Sequence, residues 1–201
     1  FERVRCKTSD LNLSHFEMLT LMAAWTFFEE RPVDYAIFEV GSGGTWDATN
    51  AIPHHHCVIT HLGMDHENML GNSLEEIAGN KFGIVSRGAQ VVHARLPFES
   101  LRLQREVAEK TQSHWKETSA FDLSLEPGKS EPKYWVHTPW GKAAIPLPGR
   151  RGAENISLAL TAFETLGFNS ALHLHALQKT RWPGRTERRI EPLVGVHRWA
   201  R

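Results

Sequence analysis

The stretch Tyr35-Ala36-Ile37-Phe38-Glu39-Val40 is a short, nearly continuous apolar run that stops at Gly41-Ser42-Gly43-Gly44. An apolar run ended by glycines reads as a β-strand buried on both faces. Its single charge, Glu39, falls at the C-terminal end of that strand. A second run, Cys57-Val58-Ile59-Thr60, leads into His61-Leu62-Gly63-Met64-Asp65-His66, and a third, Gln90-Val91-Val92-His93-Ala94, follows an intervening helix. Strand, helix and strand in alternation predict an α/β fold, a Rossmann-like and mostly parallel sheet flanked by helices.

Outward from these runs the helices declare themselves by period and caps. Phe16, Leu19, Ala23 and Phe27 recur at helical spacing, with Ser14 as N-cap and Glu17 as its capping-box partner. The helix between the second and third runs opens with the capping box Ser73-Leu74-Glu75-Glu76 and runs through Ile84. Its inward face is expected to carry Leu74, Ile77, Ala78, Lys81 and Ile84 or Val85. A charged amphipathic helix is expected from Leu101 to Thr111, and the Pro- and Gly-punctuated stretch Phe121 to Pro146 predicts a small antiparallel β meander. A helix from Glu154 to Leu166 closes at Gly167, and a shorter one, Ala171 to Lys179, precedes Trp182-Pro183-Gly184-Arg185. The layout expected is one domain over residues 1–190, with 191–201 a tail or the start of another domain.

Composition narrows the function. With 23 basic against 23 acidic side chains, scattered along 201 residues, the chain carries no basic footprint of a nucleic-acid binder. Cys6 and Cys57 are far apart and in no metal-type spacing, which predicts a reducing, cytoplasmic setting. No apolar run reaches the roughly 18 residues needed to cross a bilayer, and Phe1-Glu2-Arg3-Val4-Arg5 has no signal-peptide core, so no membrane partner is expected. The seven tryptophans read as core and interface anchors, since no basic groove accompanies them.

Glu39 stands where ligands bind in open α/β sheets, and Asp65 and His66 lie just past the end of the next strand. A carboxylate and an imidazole there suit a metal; read singly, Glu39 serves equally well as half of a salt bridge and His66 as a loop histidine. Lys81 falls on the apolar stripe of its helix, where an ammonium is costly unless paired or neutralised, or else snorkels to solvent. The Gly41–Gly44 turn is not Gly-x-x-x-x-Gly-Lys-Ser/Thr and is a weak signal for phosphate. His54-His55-His56 reads as a solvated loop and is assigned no role.

Read in order, these features become specific. Glu39-Val40-Gly41-Ser42-Gly43-Gly44-Thr45-Trp46-Asp47-Ala48-Thr49-Asn50, then Gly63-Met64-Asp65-His66, then Leu70-Gly71 and Ile77-Ala78-Gly79-Asn80-Lys81-Phe82-Gly83-Ile84 resemble folylpolyglutamate synthase and dihydrofolate synthase, a branch of the Mur ligase family. Trp182-Pro183-Gly184-Arg185-Thr186-Glu187 is similar to the family's W-P-G-R-x-E, and Leu147 through Asn155 to its G-x-H-Q-x-x-N-A. The resemblance covers roughly residues 14 to 187 and implies the central ATP-binding domain of an ATP-dependent amide ligase. It implies that a pteroate or folate carboxylate takes the γ-phosphate of ATP, and that the acyl phosphate is captured by L-glutamate. It further implies Mg2+ held by Glu39 and His66, a carbamylated Lys81 supporting the metal, Asn155 toward adenine and Arg185 toward the phosphates, in a monomer. Whether the acceptor is dihydropteroate or a reduced folate is left open by the residues present.

The departures are as specific. The phosphate-binding loop is absent, although Glu2-Arg3-Val4-Arg5 resembles the E-R-I-R strand that follows it, and the stretch from Arg5 to Ser14 is shorter than the family's. Arg151-Gly152 stand where the family has His-Gln, and the second Rossmann-like domain would begin near Arg201. The segment by itself is therefore expected to be catalytically incomplete. Two other readings remain: a degenerate, non-catalytic nucleotide-binding or interaction module, and a metallohydrolase, because Thr60–His66 superficially resembles T-H-x-H-x-D-H with Gly63 in place of the second histidine.

Overall fold

The computed structural model describes residues 2–64, 67–118, 120–127, 133–146 and 149–180. The chain folds as two units, residues 1–118 and 119–201.

The first unit is built on a parallel sheet of order β1-β2-β3. Strand β1 (His56–Ile59) pairs with β2 (Gln90–His93), placing Cys57 beside Val91, and β2 pairs with β3 (His114–Glu117), placing Val91 beside Trp115. Parallel neighbours need a crossover, supplied by α3 (Glu67–Leu70) and α4 (Leu74–Phe82) before β2 and by α5 (Leu101–Thr111) after it. Ser73 caps α4 by accepting the Glu76 N–H at 3.2 Å, while the Glu76 carboxylate turns to the Asn72 N–H instead of completing the expected box. The core joins Cys57, Ile59, Leu62, Ala78, Phe82, Val85, Val91 and Leu96, with Phe82 edge-on to Trp115 at 5.1 Å between centroids. Phe82, not Lys81, is the residue α4 buries at that level. Lys81 is half-buried on the flank, beside the apolar face formed by Ile77, Ala78 and Phe82.

Three further expectations for this unit are corrected. Tyr35–Val40 is extended but joins no sheet among the described residues. Its residues alternate instead: Ala36, Phe38 and Val40 are half-buried, whereas Tyr35, Ile37 and Glu39 are exposed, Ile37 at 93%. A strand is defined by its ladder, and none forms here among the described residues; Phe38 lies against Phe27 and Phe28 at 5.8 and 6.2 Å. Glu2-Arg3-Val4-Arg5, which resembles a strand, lies in a short helix, α1 (Glu2–Lys7), whose backbone bonds are met locally. Helix α2 (His15–Trp25) has the full Ser14–Glu17 capping box and passes into a π turn, Thr26–Glu30, yet it buries only Thr20. Phe16 and Leu19, expected to lead its apolar stripe, are exposed.

The second unit is the antiparallel meander: β4 (Asp122–Glu126), β5 (Lys133–Thr138) and β6 (Gly141–Ile145), with Val136 opposite Ala143. Helix α6 (Gly149–Thr165) starts five residues before the expected Glu154, and its Ile156 and Leu160 pack with Val136, Ala143 and Ile145. The chain turns at Gly167, at φ +87°, and continues as α7 (Ser170–His173) and a 3₁₀ helix, Leu174–Lys179. Residues 191–201, read as a tail, lie outside the described residues. No helix among the described residues is long and apolar enough to cross a membrane.

Candidate functional site

The loop that follows Glu39 is organised by one carboxylate. Asp47 accepts the N–H groups of Gly41 and Ser42 on one oxygen, each at 3.0 Å, and the Thr49 N–H and hydroxyl on the other, at 3.0 and 2.6 Å. Burial pushes its carboxyl up and is the largest single influence. The Thr49 hydroxyl and the N–H groups of Ser42, Thr49 and Gly41 together outweigh it and hold the carboxyl below the usual aspartate range. Asp47 thus caps the 3₁₀ turn Ala48–Ala51 and closes the glycine loop in one step.

That loop is clamped to the end of α4. Thr45 donates both its N–H and its hydroxyl to the Asn80 carbonyl oxygen, at 2.9 and 3.0 Å, and the Asn50 amide donates to the carbonyls of Thr45 and Gly83. The close approach leaves no room for side chains. A Cβ on Gly44 would stand 2.7 Å from Asn80 O and 2.8 Å from Lys81 O, and one on Gly83 would stand 1.9 Å from Thr45 Oγ1. Gly43 sits at φ +70°, where a side chain would be strained and would also strike Asn80 and Leu70. Backbone has therefore been brought against backbone, and the turn of α4 that meets the glycine loop is the turn carrying Lys81.

The structure thus brings the segment bearing Glu39 and the helix end bearing Lys81 to one place. Glu39 is exposed two residues before Gly41. His66, its neighbour Asp65 and Arg185 lie outside the described residues. Asn155 is exposed on α6 of the second unit. No group of three or more His, Cys, Asp or Glu that could hold a metal occurs among the described residues. Glu39 nevertheless has the right chemistry for Mg2+, which takes hard oxygen donors and is held through one or two carboxylates with water and phosphate completing the shell. Cys57 is not a candidate ligand, because burial pushes its thiol up to about 11 against a smaller downward pull from the Ser86 backbone.

In the sequence Asp47 and Asn50 stand out only as members of a motif, with no role of their own. Asp47 followed two residues later by Thr49 is the spacing of a side-chain-capped turn, a signal that was present. His54, assigned no role, holds Ile52 O and Ile84 O with its two ring nitrogens.

Comparison with known proteins matches residues 5–163 to the Mur ligase middle domain. A dihydrofolate synthase/folylpolyglutamate synthase from Bacillus subtilis is 34% identical over 185 residues, covering 87% of this chain and 43% of that protein. Mycobacterium tuberculosis folylpolyglutamate synthase, solved with ADP and AMPPCP, superposes with a TM-score of 0.75 at 28% identity, covering 91% of this chain and 44% of that one. A folylpolyglutamate synthase solved with AMPPCP and folate gives a TM-score of 0.74 at 28% identity over 92% of this chain and 48% of that one. The chain spans about half the length of the relatives it matches.

Proposed function

Because this chain belongs to the Mur ligase family through its middle domain, we propose that it is the central part of a folylpolyglutamate or dihydrofolate synthase, an ATP-dependent ligase that adds L-glutamate to a pteroate or folate carboxylate. The observation that carries this reading is the clamp between the Gly41–Asp47 loop and the end of α4, which joins the two motif segments bearing Glu39 and Lys81. A metallohydrolase site built on Thr60–His66 gains no support, since it gives those two segments no part.

Mg2+ would be held by Glu39, His66 and Lys81, the last as its carbamate, and would supply charge neutralisation at the transferred phosphoryl group. The remaining work falls to the protein. The acceptor carboxylate oxygen attacks the γ-phosphorus of ATP and ADP leaves; the glutamate amine then attacks the acyl carbon, loses a proton, and phosphate leaves. Little covalent chemistry is asked of the side chains, so catalysis rests on positioning and electrostatics. The Asp47-closed loop fixes the backbone from two residues beyond Glu39, and the Asn80 and Gly83 contacts fix the backbone on either side of Lys81. Arg185 presents a guanidinium to the phosphates and Asn155 an amide to the adenine. The protein is proposed to work as a cytoplasmic monomer.

The test uses the full reading frame that contains this sequence, with ATP, Mg2+, glutamate and either dihydropteroate or tetrahydrofolate. Glu39→Ala and Lys81→Ala should each lower the rate of glutamylated product by about a hundredfold or more while leaving the melting temperature nearly unchanged. Wild-type rates in both variants would refute the assignment of these residues.

A further inference from the structure

His54 precedes β1, and both of its ring nitrogens lie on backbone carbonyl oxygens: Nδ1 is 2.7 Å from Ile52 O and Nε2 is 2.6 Å from Ile84 O. A carbonyl oxygen only accepts. A neutral imidazole has one N–H and one lone pair, so it donates to one of these oxygens and sets its lone pair against the other. Both contacts are hydrogen bonds only in the imidazolium, in which each ring nitrogen carries a proton. We propose that His54 is a proton-operated latch on the end of α4: protonated, it ties Ile52 to Ile84 and fixes the turn three residues beyond Lys81; unprotonated, it lets one of the two carbonyls go.

The surroundings make the ring the variable element. The backbone around it is held independently, since the Ser86 hydroxyl donates to His54 O at 2.7 Å and the Gln90 N–H donates to His55 O at 2.9 Å. What moves when a ring bond is lost is therefore the Ile84 or the Ile52 carbonyl. Ile84 is no bystander. Its Cγ2 fills the space a Cβ on Gly44 would need, at 2.8 Å, so a shift at Ile84 reaches the glycine loop and the residues flanking Lys81. The charged or titratable groups on the elements around the ring are His55, His56 and Cys57 in its own segment, Lys81 on α4, Arg87 beyond Ser86, and Asp47 before the 3₁₀ turn. Among the described residues none of them bonds the ring. Cys57 Sγ shares the Ile84 oxygen at 3.5 Å, Asp47 is engaged by Gly41, Ser42 and Thr49, and Arg87 donates to Gln112. His54 is thus a positioning residue for the α4 end. Its bearing on catalysis through Lys81 rests on the ligase reading, whereas the latch itself does not.

The experiment reads the ring directly, in this chain without substrate. With ¹⁵N-labelled histidine, the ring nitrogen shifts of His54 distinguish an imidazolium from either neutral tautomer across a pH series. Amide exchange of Val85, whose N–H donates to Phe82 O at 2.9 Å in the same turn, is followed in parallel. While His54 shows two protonated nitrogens the Val85 amide should be protected. As rising pH removes the proton, its exchange should quicken by about tenfold beyond the intrinsic base-catalysed increase, the change expected for loss of one charge-assisted hydrogen bond. His54→Gln has no proton to lose, and should abolish the pH-dependent part. The proposal is overturned if His54 keeps one unprotonated ring nitrogen at every pH at which the chain is folded, or if the His54→Gln chain shows the same pH dependence. Should that variant not fold, the wild-type ring shifts still decide.

Discussion

Replacing Gly83 by alanine separates two effects that usually travel together. Gly83 has φ −61° and ψ −12°, ordinary right-handed helical values, so alanine meets no backbone strain there. By unfolded-state entropy and helix propensity the change should stabilise by about 0.4–1 kcal/mol. The objection is purely spatial. The new Cβ would stand 1.9 Å from Thr45 Oγ1, 2.7 Å from Thr45 Cβ and 2.8 Å from Thr45 Cα. Rotating the Thr45 hydroxyl away relieves only the first of these and forfeits its bond to Asn80 O, about 1 kcal/mol. The clash with the Thr45 main chain remains, so the backbone must part, at the overpacking cost of about 1–3 kcal/mol. Net destabilisation of the clamp should be about 2 kcal/mol, which in hydrogen–deuterium exchange is roughly 30-fold faster opening of the Thr45 amide. Gly79 is the control, inside the same helix with only Leu103 Cδ2 at 3.5 Å from its would-be Cβ. Gly79→Ala should slow exchange across α4. If Gly83→Ala also slowed exchange, or left Thr45 unchanged, the close approach of loop and helix would be wrong.

Asp47→Asn removes one of two equivalent acceptors, and exchange at the Gly41 or Thr49 amides should rise about tenfold. Because the folded carboxyl of Asp47 is held below its usual value, its contribution is complete above the unfolded aspartate pKa of about 3.9 and is lost as pH falls through the lower folded value. Acid should therefore loosen this loop in the wild type and not in Asp47→Asn, as amide exchange at low pH would show. Phe82→Ala, at a side chain 1% exposed and edge-on to Trp115, should cost about 3–5 kcal/mol and melt the parallel-sheet unit first. Exchange of the β2 and β3 amides is the measure, and retention of their protection would show that Phe82 is not the keystone of that core.

Where burial is one-sided or two-sided in a simple way, the fold was legible. Cys57–Thr60 and Gln90–Ala94 became β1 and β2 almost residue for residue, and α5 spans the expected Leu101–Thr111. His114–Glu117 was missed because its edge strand contains one apolar residue, Trp115, and so lacks the run that marks a buried strand. Tyr35–Val40 shows the opposite failure: apolar run and glycine stop are both there, but strand identity depends on a neighbour that local sequence does not encode. On α4 the inward face was read one position early, at Lys81 where Phe82 packs, because the period places both near the same edge of the stripe. Glu39 and Lys81 stand out in the sequence by their place in ordered motifs. The Asp47 closure and the His54 bridge do not, since each depends on which backbone groups the fold delivers to a short polar side chain.

The most direct test follows oxygen. If the acceptor carboxylate is carried through an acyl phosphate, then pteroate or folate labelled with ¹⁸O in that carboxylate, incubated with the full-length protein, ATP, Mg2+ and glutamate, should pass one ¹⁸O to each phosphate released with the glutamylated product. Phosphate released without label, or ATP hydrolysis with no amide formed from either acceptor, would contradict the assignment of this chain to a folate-type amide ligase.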